Sequence, residues 1–317
     1  MQGILIVDKP MDWTSFDVVA KLRGVLGTRK LGHSGTLDPM ATGVLPVFCG
    51  GASKAVDLQL DHTKTYCARL KLGLRTDTGD ITGTVLETAP VTAGEKELLA
   101  VLPRFLGPQM QTPPMYSAVK IGGRKLYELA RKGTEVERPS RRVTIRALEV
   151  LEEADVRRDA PCGFEPEPDT WFLRVACSKG TYVRTLCHDL GRALGCGGCM
   201  SSLRRTRAGS FTLAQAVTMQ QVLDFAAGQD PQQLLMPVDA VFAAHPPLIV
   251  TLGQAAKLKN GAQVKDWQFQ PGTYRVYAED GEFLLLGRVE GGVLTTIKSF
   301  FAVSYTHLRA HETGAYL

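Results

Sequence analysis

The sequence predicts a mixed α/β protein of the α+β class, in which a large domain precedes a small β-rich module. Apolar strand segments and amphipathic helical segments succeed one another over the first 243 residues. Beyond residue 247, short strands separated by glycine turns follow one another. Between the two parts lies His245-Pro246-Pro247, and paired prolines favour an extended linker. We therefore expect domains at 1–243 and 248–302.

The first elements of the large domain follow from local patterns. Residues 3–7 form an apolar strand, and Thr14 or Ser15 can cap a helix that Gly27 ends. A glycine-rich loop follows, and its last residues lead into a strand at 44–49. The sequence then predicts a strand at 66–74, with Thr84 to Leu86 as a pairing partner.

The remaining elements alternate in the same way. We expect a helix at 94–105, two strands joined by an acidic, proline-containing solvated loop at 151–169, a helix capped by Thr181, and a helix at 213–226. The small module then has strands at 273–278, 283–289 and 293–297. Residues 303–317 continue neither pattern, so we expect an unstructured or artefactual tail.

Composition is that of an ordinary globular protein, with 44% hydrophobic and 22% charged residues. The net charge is +5, too small an excess to indicate nucleic acid by itself. Its distribution says more, because residues 111–142 hold eight basic and three acidic residues, an excess equal to that of the whole chain. No apolar leader and no run long enough to span a bilayer is present, so we expect a cytoplasmic protein.

The seven cysteines are odd in number and scattered, which favours free thiols. Cys196-Gly-Gly-Cys199 could hold zinc together with Cys187 and His188, but a structural zinc site normally brings a second spaced pair of ligands. Small residues packed behind a helix are the favoured interpretation. We expect no metal.

Asp38 is the first candidate catalytic residue. A residue before proline is pushed out of helical geometry, so Asp38 lies on an extended loop. Taken alone, Asp-Pro simply starts a turn. However, the loop also carries His33, Ser34 and Thr36 between glycines, and such loops on a rigid scaffold often hold binding or catalytic residues.

Two further segments carry possible chemistry. Ser178-Lys179-Gly180-Thr181-Tyr182-Val183-Arg184 reads as a strand end, a glycine turn and a helix start. Arg184 falls in the first helical turn, where the helix dipole disfavours a cation, so a specific partner such as an aspartate is expected. Tyr66 enters a strand, where a tyrosine is more often a core residue than a catalytic one.

Three ordered motifs resemble the TruB family of pseudouridine synthases. They are Asp8-Lys9-Pro10 with Trp13-Thr14-Ser15, the loop from Gly32 to Gly43, and Ser178 to Thr185. The resemblance implies a catalytic domain around a largely antiparallel sheet, a PUA-like RNA-binding module at 248–302, and an RNA-gripping insertion at about 107–142. It also implies isomerisation of uridine 55 in the T arm of tRNA without a cofactor, a metal or a guide RNA.

The resemblance also implies a role for each matching residue. Asp38 acts at the ribose, either as nucleophile on C1′ or as base at C2′, Arg184 pairs with it, and Tyr66 stacks on the uracil and helps remove the C5 proton. Substrate binding is assigned to His33, Tyr182 and Leu203 around the flipped nucleotides, and to Lys9, Lys54, Lys120, Arg124 and Lys125 as phosphate contacts. We expect a monomer with no membrane association. The alternative function is a tRNA-folding chaperone, in which binding is the main role; a carboxylate hydrolase would need a second catalytic acid.

Overall fold

The computed structural model describes residues 2–159 and 167–301. The centre of the acidic loop and the expected tail at 303–317 lie outside the described residues. Within these ranges the chain is organised around two sheets, one of ten strands and one of five. This arrangement confirms the mixed α/β class.

The strands account for most of the regular structure. In chain order they are β1 (Gly3–Lys9), β2 (Leu31–His33), β3 (Thr42–Cys49), β4 (Lys64–Leu72), β5 (Leu74–Thr76), β6 (Val85–Thr88), β7 (Gly107–Gln111), β8 (Lys120–Ile121), β9 (Arg124–Lys125), β10 (Arg141–Val150), β11 (Thr170–Cys177), β12 (Gly198–Ala208), β13 (Phe211–Thr212), β14 (Val217–Thr218), β15 (Pro247–Val250), β16 (Val264–Lys265), β17 (Gly272–Ala278), β18 (Phe283–Glu290) and β19 (Val293–Ser299). The helices are α1 (Ser15–Val25), α2 (Glu95–Val101), α3 (Leu126–Ala130), α4 (Glu153–Asp159), α5 (Val183–Ala193), α6 (Met219–Gly228) and α7 (Leu252–Lys259).

The ten-stranded sheet has the order β14-β1-β3-β12-β4-β11-β10-β7, with β2 beside β3 and β13 beside β12. It is largely antiparallel, as expected, since only the β1–β14 and β3–β12 pairs run parallel. Strand β12 lies near the centre and joins the half containing β1 and β3 to the half containing β4, β11 and β10. The side chains that meet at this central strand form the candidate site.

Helix α1 shows how local sequence sets the structure. Thr14 is its N-cap, and the Thr14 and Asp17 side chains form a reciprocal capping box. Gly27 follows the helix with a positive φ of 59°, the backbone conformation that glycine adopts without strain. Both ends of this helix agree with the sequence prediction.

The five-stranded sheet has the order β15-β17-β18-β19-β16 and packs against the larger one. Phe242 from the large domain contacts Phe283 and Phe300, with ring centroids 6.3 and 5.5 Å apart. Lys54 Nζ also donates to the Ser299 carbonyl at 3.1 Å. The small module is therefore tied to the large domain by an apolar contact and by hydrogen bonds.

Several predicted elements are wrong in detail. Strand β6 pairs with β5 in a local hairpin and not with the long strand β4. Helix α5 is capped by Tyr182, while the Thr181 hydroxyl donates to the Ser178 carbonyl. The expected solvated loop contains α4, and the helix expected at 213–226 begins only at Met219. Among the described residues, no helix is long and apolar enough to cross a membrane.

Candidate active site

The loop that carries Asp38 is held from both sides by buried polar side chains. Ser15 Oγ accepts from the Leu37 N–H at 2.9 Å and donates to the Leu37 carbonyl at 3.2 Å. On the other side, Lys9 Nζ donates to the Pro39 carbonyl at 3.1 Å. The Ala41 N–H closes the turn on the Asp38 carbonyl at 3.0 Å. The backbone around Asp38 is therefore fixed before any substrate arrives.

Lys9 is not available as a phosphate contact, which corrects the sequence prediction. Its side chain is fully buried, and its ammonium also donates to the carbonyls of Pro10 and Trp13, at 2.8 and 2.5 Å. Burial lowers the pKa of Lys9 to about 8. The residue therefore ties the end of β1 to the Asp38 loop.

Arg184 makes the principal ionic contact of the site. Its Nε lies 3.0 Å from Asp38 Oδ2, and its side chain is only 5% exposed. This is the pairing expected from a cation in the first turn of a helix. The remaining guanidinium nitrogens are also occupied, because Nη1 donates to the Thr78 carbonyl and Nη2 to the Tyr116 carbonyl, at 3.0 and 2.7 Å. Arg184 thus joins Asp38 to the β5–β6 hairpin and to the segment after β7.

Asp80 is a second carboxylate at Arg184, and sequence reasoning missed it. Its Oδ2 lies 3.5 Å from Arg184 Nη1, and its other oxygen accepts from the Thr78 and Thr82 hydroxyls at 2.9 and 2.6 Å. Asp80 is buried. The signal was present as the polar turn Thr76-Asp77-Thr78-Gly79-Asp80, but only the fold places that turn beside α5.

Opposing effects act on the pKa of the Asp38 carboxyl. Burial raises its pKa, the positive charge of Arg184 lowers it, and the negative charge of Asp80 raises it again. The net shift is upward from the ordinary aspartate value. Arg184 therefore offsets only part of the cost of ionising Asp38, which remains 38% exposed at the cavity surface.

Tyr66 faces Arg205, a second buried arginine that sequence reasoning missed. Arg205 is 1% exposed, and its guanidinium donates to the Val44 carbonyl at 2.7 Å, to the Gly35 carbonyl at 2.9 Å and to the Tyr66 hydroxyl. Burial raises the pKa of the Tyr66 phenol, while the Arg205 charge opposes that rise. Burial thus favours the neutral phenol, beside a cation that favours its ionised form.

Asp38, Tyr66, Arg184, Tyr182 and Leu203 line one cavity of about 380 Å³. The loop after β2, the start of β4, the N-terminus of α5 and the middle of β12 supply these side chains. His33 does not line this cavity. It lies on β2, near enough to Arg205 for the guanidinium, together with burial, to lower its pKa. The structure thus brings together five of the predicted residues in one cavity, and His33 is not among the residues that line it.

The remaining predicted contacts lie on the surface. Lys120 and Arg124 are exposed on the β8–β9 hairpin, and Lys125 Nζ lies 5.4 Å from the centre of the Tyr127 ring. Lys54 is half-buried and already donates to the small module. Lys120 and Arg124 are exposed to an anionic partner, whereas Lys125 Nζ also donates to the Tyr127 hydroxyl at 3.2 Å and Lys54 has a structural role as well.

The Cys196–Cys199 segment packs against α5. A Cβ built on Gly191 would lie 2.2 Å from the Gly198 nitrogen, so the two glycines allow β12 to approach the helix closely. Among the described residues, no group of His, Cys, Asp and Glu side chains could hold a metal ion.

Comparison with known families gives two adjacent matches. A model described as TruB family pseudouridylate synthase (N terminal domain) matches residues 23–183. A model described as tRNA pseudouridylate synthase B C-terminal domain matches residues 184–243. The second match covers helix α5 and the end of the large domain, and it ends before β15.

Curated relatives align over nearly the whole chain. A protein named tRNA pseudouridine synthase B from Clostridium kluyveri is 38% identical over 305 residues, which are 95% of this chain and 100% of the relative. A protein of the same name from Ralstonia nicotianae is 43% identical, and the alignment covers 93% of this chain and 92% of that relative. Among solved structures, a Cbf5-Nop10-Gar1 complex is similar with a TM-score of 0.66 and 26% identity, covering 94% of this chain and 85% of that one.

Proposed function

The chain belongs to the TruB family of pseudouridylate synthases, and on that premise we propose that it isomerises uridine 55 in the T arm of tRNA to pseudouridine. The observation that carries this proposal is the ion pair of Asp38 with Arg184 in the cavity that Tyr66 also lines. Curated relatives named tRNA pseudouridine synthase B support the substrate class. The chaperone alternative is not favoured, because binding alone requires no ionised carboxylate in such a cavity.

The reaction breaks the N1–C1′ bond, turns the uracil and forms a C5–C1′ bond. The C5 proton leaves and N1 gains a proton, so the atoms balance without a cofactor. Asp38 acts at the ribose, either on C1′ or on the C2′ proton, and both steps require its ionised form. Because burial raises the pKa of Asp38, Arg184 is the group that keeps the carboxylate available.

The target base must leave its stack to reach Asp38. A cavity of about 380 Å³ with Tyr66, Tyr182 and Leu203 in its wall accepts a planar base between aromatic and apolar surfaces. Tyr66 stacks on the uracil and then takes the C5 proton. Tyr66 must therefore first give up its own proton, which N1 of the detached uracil can accept, and Arg205 is the cation that stabilises the resulting phenolate before it takes the C5 proton.

Binding of the RNA extends beyond the cavity. The insertion at 107–142 carries Lys120, Arg124 and Lys125 on its hairpin, and basic residues of this kind neutralise phosphates. The small module at 248–302 acts as a PUA-like RNA-binding domain. On its surface Trp267 is 86% exposed, and such an aromatic ring can stack an unpaired base.

The enzyme works as a monomer in the cytoplasm and needs no guide RNA. The basic insertion supports this assignment, since it supplies from the chain itself the grip that a guide RNA would otherwise provide. The T arm and the independence from a guide are tested together by an assay with purified components, and gel filtration of the same protein tests the monomeric state.

The direct test uses a T-arm stem-loop labelled with [5-³H]uridine, with the purified protein and no other RNA. We expect tritium release from the stem-loop that has uridine at position 55. A matched stem-loop with cytidine at that position is the control and should release none. Release that is equal from both stem-loops would exclude position 55 as the target.

A further inference from the structure

Arg141 opens strand β10 and lies in the wall of the same cavity as Asp38. Its guanidinium carbon is 4.7 Å from the centre of the Tyr182 ring. Tyr182 is itself fixed, because its N–H donates to Gln111 Oε1 at 2.7 Å and its carbonyl accepts from Gln111 Nε2 at 3.0 Å. Gln111 is the residue of β7 that pairs with Arg141. The guanidinium therefore lies against the ring of a residue whose backbone is held by Gln111.

Two nitrogens of this guanidinium lack a partner. Nε and Nη2 of Arg141 are buried, and no acceptor for them exists among the described residues. A buried N–H group without an acceptor costs free energy, and the cost is greater for a charged group. Because both atoms are shielded from solvent, the guanidinium must turn towards the cavity before an anion can accept from them, and that contact would remove this cost. The geometry of two adjacent N–H groups on one guanidinium suits a bidentate oxyanion.

The charge of the cavity wall also favours an anion. Besides Arg141, the wall carries four cations against the single carboxylate of Asp38, and these cations are Lys64, Lys179, Arg184 and Arg205. Asp38 is already paired with Arg184. Gly180 has a positive φ of 85°, and a Cβ built there would lie 3.7 Å from Arg141 Nη1. The glycine turn thus passes directly beside the guanidinium.

We propose that Arg141 binds a backbone phosphate that adjoins the target nucleotide and thereby sets the position of its ribose at Asp38. The inference rests on the proposed function in taking RNA as the ligand. Both residues line the cavity that the target nucleotide would enter, so an adjoining phosphodiester is the anion that would meet Arg141 while C1′ faces Asp38. Arg141 is a binding and positioning residue here and takes no part in the bond changes.

The test compares Arg141→Met with Arg146→Met, which removes an exposed arginine from the same strand. Binding of the T-arm stem-loop is measured over a range of salt concentrations. We expect Arg141→Met to weaken binding by about 10- to 100-fold, as for the loss of a charge-assisted hydrogen bond. Its salt slope should fall by about 0.7, the value of one phosphate contact in a single strand. Arg146→Met should behave as the wild type.

A second measurement locates the contact. Each of the two phosphates that flank position 55 is replaced in turn by an uncharged methylphosphonate. One replacement should weaken binding by the wild type about as much as Arg141→Met does, and should cost that variant little more. If both replacements leave the wild type unaffected, or if Arg141→Met binds like Arg146→Met, the inference is overturned. If Arg141→Met does not fold, Arg141→Lys takes its place, because it keeps the charge but loses the pair of N–H groups on one guanidinium. The absence of a methylphosphonate effect on the wild type overturns the inference in either case.

The two claims fail separately. A wild type that shows the methylphosphonate effect but releases no tritium keeps the phosphate contact and loses the proposed isomerase. A wild type that releases tritium but shows no effect at either phosphate keeps the isomerase and loses the contact.

Discussion

Replacement of Arg184 by methionine should move the acid limb of the pH–activity profile upward. The change removes the cation that lies 3.0 Å from Asp38 and leaves the negative charge of Asp80, which raises the Asp38 pKa further. An opposite charge at such a distance lowers the pKa of an aspartate by about 1 to 3 units, so its loss raises the Asp38 pKa by a similar amount. Each unit corresponds to about 1.4 kcal/mol.

The sign follows from the protonation state that catalysis needs. Activity requires ionised Asp38 and is lost as the pH falls through its pKa, which burial already holds above the ordinary value. In Arg184→Met that loss should begin about 1 to 3 pH units higher. Removing one partner of a buried ion pair also costs about 3 to 5 kcal/mol of stability, so unfolding must be monitored alongside.

The assay is single-turnover tritium release between pH 5 and 9, with Arg192→Met as the matched control. Arg192 lies on the same helix, is exposed and is also ion-paired, to Asp189 at 3.3 Å. Arg192→Met should leave the pH–activity profile unchanged. Arg184→Lys should keep the acid limb near that of the wild type, because the positive charge remains. A folded Arg184→Met protein with an unmoved acid limb would refute the electrostatic role assigned to Arg184.

Three further predictions concern other buried contacts. Tyr66→Phe should reduce tritium release by about 10²-fold or more, as expected for loss of a general base, with RNA affinity nearly unchanged; strong release would remove the phenol from the mechanism. For Lys9, whose pKa is lowered to about 8, the folded state loses its proton before the unfolded state does. Between pH 8 and about 10.5, the free energy of unfolding of the wild type should therefore rise by about 3 kcal/mol more than that of Lys9→Met, as measured by denaturant titration. If the unfolding free energies of the two proteins change equally with pH, this prediction is contradicted. Gly43→Ala should cost at least about 3 kcal/mol, because its Cβ would lie 2.2 Å from the Arg205 carbonyl at a φ of 99°. Gly32→Ala, with no atom near its Cβ, should leave the melting temperature unchanged.

The sequence predicted those parts of the site that have a local signature. The Asp38 loop was visible from its glycines and its Asp-Pro step, and Arg184 from a cation in an unfavourable position at a helix start. Arg205 has no such signature, and the polar turn that carries Asp80 does not show which residue it faces. Arg205 looks like one of several basic residues on β12, and only the sheet order shows that its side chain points into the core beside Tyr66.

The errors in the fold share one physical origin, which is competition between local and distant partners. Residues 85–88 have the pattern of a strand that could join the large sheet, but a short turn lets them pair with β5 instead. Lys9 follows an apolar strand and precedes a proline, a place where a solvated lysine is common. Three carbonyls from two loops accept from its buried ammonium, and no local pattern reports such convergence.

The central claim is that Asp38 carries the chemistry while other residues hold the RNA. Its most direct test compares wild type with Asp38→Asn for tritium release from the [5-³H]uridine T-arm stem-loop and for affinity towards the same RNA. The account predicts release by the wild type, none by Asp38→Asn, and nearly equal affinities. Equal release by the two proteins would contradict the role of Asp38, and a large loss of affinity in the variant would show that the carboxylate serves binding instead.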